Sequence, residues 1–260
     1  MNYRILLLCL LCWAQEAVAQ NKIAPADMRL KPYRMTGQDN PLRKNLAFAD
    51  YKTNSIRRTL GSFFYYQAPS LANAMLATGD IPVYEKNRLR AKDVFRFDLD
   101  KNGQPVASTE CRAIFRKNET FYLLHKQDST FFGARNTDLL DARIRLTADT
   151  SQVWHMLASN LNGSKDEDQK GIIRNGGEEI RFVKTTMLLR DKPVSDNSPV
   201  SLLASIDMVY AFTYNDEVVA AVSFKEADRR FWLREGLDQP LADVIASAAS
   251  LLTIRRDLYR

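Results

Sequence analysis

From Leu46 onward, polar and apolar residues mostly alternate singly along the chain. A period of two sends successive side chains to opposite faces of a strand, so the pattern predicts strands buried on one side. The clearest case puts Ala107, Thr109, Cys111, Ala113 and Phe115 on one face. Ser108, Glu110, Arg112 and Arg116 then fall on the other. The same reading predicts strands at 47–52, 62–66, 94–99, 105–115, 120–126, 143–146, 172–174, 179–189, 206–214, 218–225 and 230–233. Turn chemistry separates them. Asp100-Lys-Asn-Gly103 and Asn175-Gly-Gly177 are strong hairpin signals, and Lys117-Asn-Glu119 and Asn215-Asp-Glu217 are weaker ones. Short hairpins force antiparallel pairing.

The period changes to a helical one in two places. Asp149 and Gln152 have capping-box spacing, Val153, Met156, Leu157 and Leu161 share a helical face, and Asn162-Gly163 supplies a stop. The second helix is predicted from near Asp238, with Pro240 in its first turn and a stripe of Leu241, Val244, Ile245, Ala248, Leu251 and Leu252. Arg255-Arg256 would complement its C-terminal dipole. A third, weaker helix is predicted at 69–77. The expected fold is α+β: antiparallel meanders with a mid-chain helix and a C-terminal helix packed on the sheets. Residues 46–260 are expected to form this domain, as two similar halves split near 149. Residues 20–45, with Pro25, Pro32 and Pro41, read as an extended arm.

The first nineteen residues change the picture. Arg4 precedes an apolar run from Ile5 to Ala14, and Ala17-Val18-Ala19 offers a small-x-small cleavage pattern. The run is shorter than the roughly 20 residues of a membrane span. It predicts export, with cleavage near Ala19 and a mature protein in the periplasm or secreted. Lipidation is the rival reading, but Cys9 is deep in the apolar run and Leu11 precedes Cys12 where a small residue belongs. No later run is long enough to span a membrane as a helix; Ser205 and Asp207 interrupt the best one. Of the three cysteines, Cys111 alone follows the expected cleavage point, so no disulfide can form within the mature chain.

The chain carries 37 basic and 31 acidic residues, a net charge of +6. Lys86, Arg88, Arg90 and Lys92 alternate, and in a strand they would form a single-sign stripe about 20 Å long. Such a stripe suits an anionic envelope glycan or lipid. Charges guarding an edge strand, or a solvated loop, would look the same. The aromatic run Phe63-Phe64-Tyr65-Tyr66 could stack on sugar rings or fill a core. Asp98, Asp100 and Asn102 match the front of a calcium loop. The back half fails, since Thr109 stands where the bidentate Glu belongs, and a hairpin turn uses the same residues.

Other chemistries lack signatures. His125 and His155 are the only histidines and have no zinc spacing. Neither a nucleophile elbow nor a phosphate-binding glycine loop occurs, so no catalytic residue and no cofactor is nominated. No nucleic-acid motif is present, and nucleic acid is not an expected partner. The leading expectation is therefore an exported non-catalytic binding or structural protein. Two other classes stay open: a hydrolase using Asp or Glu carboxylates in a cleft, and a carrier holding an apolar ligand against the Leu241–Leu252 stripe.

Overall fold

The computed structural model describes residues 30–37, 45–59, 62–67, 83–125, 128–159, 161, 169–188, 206–223 and 229–255. They form thirteen antiparallel strands and one helix. The strands are β1 (Leu30–Arg34), β2 (Ala47–Phe48), β3 (Tyr51–Arg58), β4 (Ser62–Gln67), β5 (Val83–Lys101), β6 (Gln104–His125) and β7 (Asp128–Leu146). They continue as β8 (Val153–Ser159), β9 (Lys170–Asn175), β10 (Glu178–Leu188), β11 (Ile206–Tyr214), β12 (Glu217–Ser223) and β13 (Arg230–Arg234). The helix, α1, spans Gln239–Ile254.

Twelve strands follow one path, β1-β13-β12-β11-β10-β9-β8-β7-β6-β5-β3-β2, and β4 pairs β5 beside it. From β5 to β13, each strand pairs with the next in sequence, as hairpin chemistry dictates. Asn102 and Gly103, at φ 50° and 79°, turn β5 into β6. Asn215 and Asp216, at 49° and 61°, turn β11 into β12. Two consecutive positive φ values match the right-handed twist of the flanking strands. The ends of the path then meet. Thr36, just beyond β1, donates to and accepts from Ala47 of β2, at 2.9 and 3.0 Å. The sheet is thus a nearly closed barrel, a form that removes exposed edges.

The barrel is filled rather than hollow. Inward residues from most of its strands, including Phe97, Leu99, Phe115, Ile144, Met156, Ile173, Phe182 and Phe212, join one core cluster with α1. Thirteen residues of α1 are buried, on every side of the helix. Between Leu241 and Ile254 its only charge is Asp243, and alanine or serine occupies six other positions. A helix without a polar face belongs in a core. Small side chains let the surrounding strands approach it closely. The helix is about 24 Å long and β3 about 23 Å. Tyr51, at the start of β3, donates to Asp243 at 2.8 Å. Arg58, at its end, donates to the carbonyl of Ile254 at 2.9 Å. The two ends of the helix are therefore tied to the two ends of β3, while its length packs against β6, β7 and β12.

This architecture corrects the α+β expectation. The mid-chain helix is a strand: β8 buries Trp154, Met156 and Ala158 and exposes His155, Leu157 and Ser159. Its apolar residues satisfied both periods, and the partners available on β7 and β9 decided for alternation. The supposed capping residue closes a turn instead. Asp149 Oδ1 accepts from the backbone and the hydroxyl of Ser151, at 3.1 and 2.6 Å. The C-terminal helix forms where expected, but inside the sheet rather than across it. Lys117-Asn-Glu119 makes no turn, and β6 runs straight through it. The helix predicted at 69–77 lies outside the described residues, as do residues 1–29. Within the expected arm, Leu30–Arg34 forms β1 and pairs with β13.

Candidate functional site

The longest strands, β5, β6 and β7, place alternate side chains on the outside of the barrel. Along β5 these are Arg88, Arg90, Lys92, Val94, Arg96 and Asp98. Register sets their neighbours on β6: Arg90 faces Arg116, Val94 faces Arg112 and Arg96 faces Glu110. On β7, Asp141 faces Arg112 and Arg143 faces Glu110. The sheet thereby gathers arginines far apart in sequence onto one outer face.

A β-bulge brings in one more. Between Asn54 and Arg57 the register of β3 against β5 slips by one residue, with Ser55 at φ 51°. One extra residue exchanges the two faces of everything beyond it. Tyr51 and Thr53 point inward before the bulge. Beyond it, Arg57 faces outward opposite Arg96, and Arg58 turns inward opposite Phe95. Ser55 thus assigns two consecutive arginines opposite tasks.

Inside, Arg58 pairs with Asp93, lies 4.7 Å from the Phe95 ring and caps the last turn of α1. Asp93 is almost fully buried, so this pair is structural. Outside, the pattern is reversed. Among the described residues, Arg57, Arg88, Arg90, Lys92, Arg96, Arg112, Arg116 and Arg143 have no ion-pair partner. Of the acids on this face, Glu110 is engaged by Arg145, at 3.5 Å, and Asp141 stands opposite Arg112. Two directly opposed pairs, Arg57–Arg96 and Arg90–Arg116, are like-charged. Such pairs destabilise a sheet unless an anion lies between them.

The face is not flat. A depression of about 520 Å³ is walled by Arg57, Arg96, Glu110, Arg112, Asp141 and Arg143. A smaller one of about 280 Å³ adjoins it at Ser55, Asp98 and Ser108 and shares Arg57, Arg96 and Glu110. The Cys111 thiol lies beneath the floor of the first. Burial, and then the charge of Asp93, push its pKa up, so it is not poised as a nucleophilic thiolate.

Of the sequence-predicted cations, Lys86, Arg88, Arg90 and Lys92 all lie on β5. Arg88, Arg90 and Lys92 are outward, with Arg90 and Lys92 exposed, and belong to this face. β5 is not an edge strand, since it pairs with β6 on one side and with β3 and β4 on the other. The guarded-edge reading is therefore overturned for Arg88, Arg90 and Lys92. Sequence reasoning missed Arg57, Arg96, Arg112, Arg116 and Arg143, because each is an ordinary polar position until register places it. Asp98, Asp100 and Asn102 fall on the end of β5 and its turn. Asp100 accepts from Asn54, and no group of three acidic, His or Cys side chains gathers among the described residues.

Among the described residues, the carboxyl group with a raised pKa is elsewhere. Asp243 sits in the barrel at the start of α1, where burial raises its pKa against the hydrogen bonds of Tyr51 and Gln239. Burial, then Asp243, pushes the Tyr51 phenol upward in turn. This cluster joins helix to barrel and opens onto neither arginine depression. A third depression, of about 660 Å³, lies between Leu139, Leu157, Ile172 and Arg181 on β7 to β10 and is mainly apolar. In comparison with known proteins, no family model, no curated protein and no solved structure matches the chain significantly.

Proposed function

We propose that this chain is an exported, non-catalytic binding protein whose outer arginine face engages an anionic component of the cell envelope, a glycan or a lipid headgroup. One observation carries the reading: eight cations on one face have no ion-pair partner among the described residues, against three carboxylates there, and four of the cations stand in like-charged opposed pairs. A folded protein keeps such an arrangement at a cost in stability, which bound oxyanions would offset. Seven of the eight are arginines, whose planar fork binds carboxylate, sulfate or phosphate through two parallel hydrogen bonds. Export is supported by the Arg4-to-Ala19 segment.

The carrier reading needs space beside the Leu241–Leu252 stripe, and those side chains are packed in the core. The hydrolase reading draws no support from Asp243, which is committed to Tyr51 and Gln239. The test is binding of the full chain to polygalacturonate and to phosphatidylglycerol vesicles. Converting Arg57, Arg90, Arg96 and Arg116 together to Gln should weaken it at least about a hundredfold. Unchanged binding would remove the arginine face from the function.

A further inference from the structure

Phe64 is a large aromatic left exposed, at 54%. It lies on β4, directly opposite Arg90 of β5, and Arg90 in turn faces Arg116 of β6. Three adjacent strands therefore present an exposed aromatic ring and two guanidinium groups side by side on one outer surface. Neither arginine has an ion-pair partner among the described residues. We infer that Phe64, Arg90 and Arg116 form a subsite for an acidic sugar, and that the ligand of the arginine face is a linear acidic polysaccharide. This rests on the anion-binding reading above and goes beyond it by naming the ligand class.

The chemistry of an acidic sugar matches the three side chains. A sugar ring has an apolar C–H face that stacks on an aromatic ring, and a uronate or sulfate at its rim that a guanidinium binds bidentately. A phosphate headgroup would use the arginines and leave the ring idle. The distribution of charge argues for a polymer. From Arg90, β5 runs six residues to Arg96, where Arg57 completes a second pair, about 20 Å away. A single headgroup cannot reach both pairs, whereas a chain of repeating anionic units lying along β5 can. Arg112 and Arg143 continue the track toward β7.

The experiment titrates the full chain with polygalacturonate, neutral dextran and phosphatidylglycerol vesicles by calorimetry at several salt concentrations. Wild type should bind polygalacturonate and ignore dextran. Phe64→Ala should weaken binding about fivefold without changing its salt dependence, and Phe64→Trp should restore it. Arg90→Gln and Arg116→Gln should each weaken it about tenfold and flatten the salt dependence. If Phe64→Ala binds as wild type while the arginine variants lose affinity, the sugar subsite is wrong and the anion-binding face survives. If the vesicles bind more tightly than polygalacturonate and Phe64→Ala leaves both unchanged, the ligand is a lipid headgroup and the glycan assignment fails. If wild type binds neither anion, both proposals fall together.

Discussion

Two outer faces of this barrel use arginine in opposite ways. On β9 and β10, Arg174 and Arg181 both reach Glu179. On β12 and β13, Arg234 reaches Glu217. Those arginines are neutralised by the sheet's own carboxylates, and the Arg181 and Arg174 hydrogen bonds hold Glu179 below the usual carboxylate range. On β3, β5 and β6 the same residue type stands opposite itself. Both faces are exposed antiparallel sheet, so solvent and propensity do not account for the contrast. Register does: it gives Arg174 a glutamate across the ladder and gives Arg57 and Arg90 another arginine. A paired surface is complete in itself, and an unpaired one is left with charge for a ligand.

Arg58 sharpens the contrast, because one bulge separates it from Arg57. Asp93→Ala should cost about 3–5 kcal/mol in urea unfolding, since it strands a guanidinium in the interior beneath the last turn of α1. A loss well under 1 kcal/mol would mean that the pair is solvated and that the bulge has no structural task. Next in size is the fourfold change of Arg57, Arg90, Arg96 and Arg116 to Gln. It should lower polyanion affinity at least about a hundredfold while leaving the melting temperature level or higher, because opposed like charges are relieved. Converting Arg174 and Arg181 to Gln is the matched control on the paired face. It should change polyanion affinity less than about twofold; an effect equal to that of the fourfold variant would erase the distinction.

Asp243 gives the smallest effect. Its folded pKa lies above the unfolded value, so the folded state binds the extra proton. Stability from this group is complete below the unfolded pKa, near 3.8. It is lost as pH rises through the raised folded pKa. Asp243→Asn keeps an oxygen to accept from Tyr51 and Gln239, which both donate to Oδ1 in the native protein. The variant should therefore match or exceed wild type at neutral pH and should lack this component of the decline. Equal pH dependence of unfolding in the two proteins would place the carboxyl in solvent.

The alternation of 105–115 reported both the strand and its faces, because that segment touches core on one side only. Asn175-Gly-Gly177 and Asn215-Asp216 reported their hairpins, because turn chemistry is local. Barrel closure was not legible. Among the described residues it rests on the bridge between Thr36 and Ala47, residues without any pattern. The residues of β8 fitted two periods, and only neighbouring strands could decide between them. A sign of the interior helix was present but unread: apart from Asp243, its Ala and Ser residues leave no polar face between Leu241 and Ile254. The site was half legible. The stripe on β5 showed in sequence, whereas its partners on β3, β6 and β7 became neighbours only through register and the Ser55 bulge.

The most direct measurement is the affinity of the wild-type chain for polygalacturonate as salt rises from about 50 to 300 mM, a range over which exposed charges become screened. An unpaired arginine face binding a polyanion predicts tight association at the low end and a steep, continuous loss toward the high end. Absent binding at 50 mM, or an affinity that holds level across the range, would contradict it.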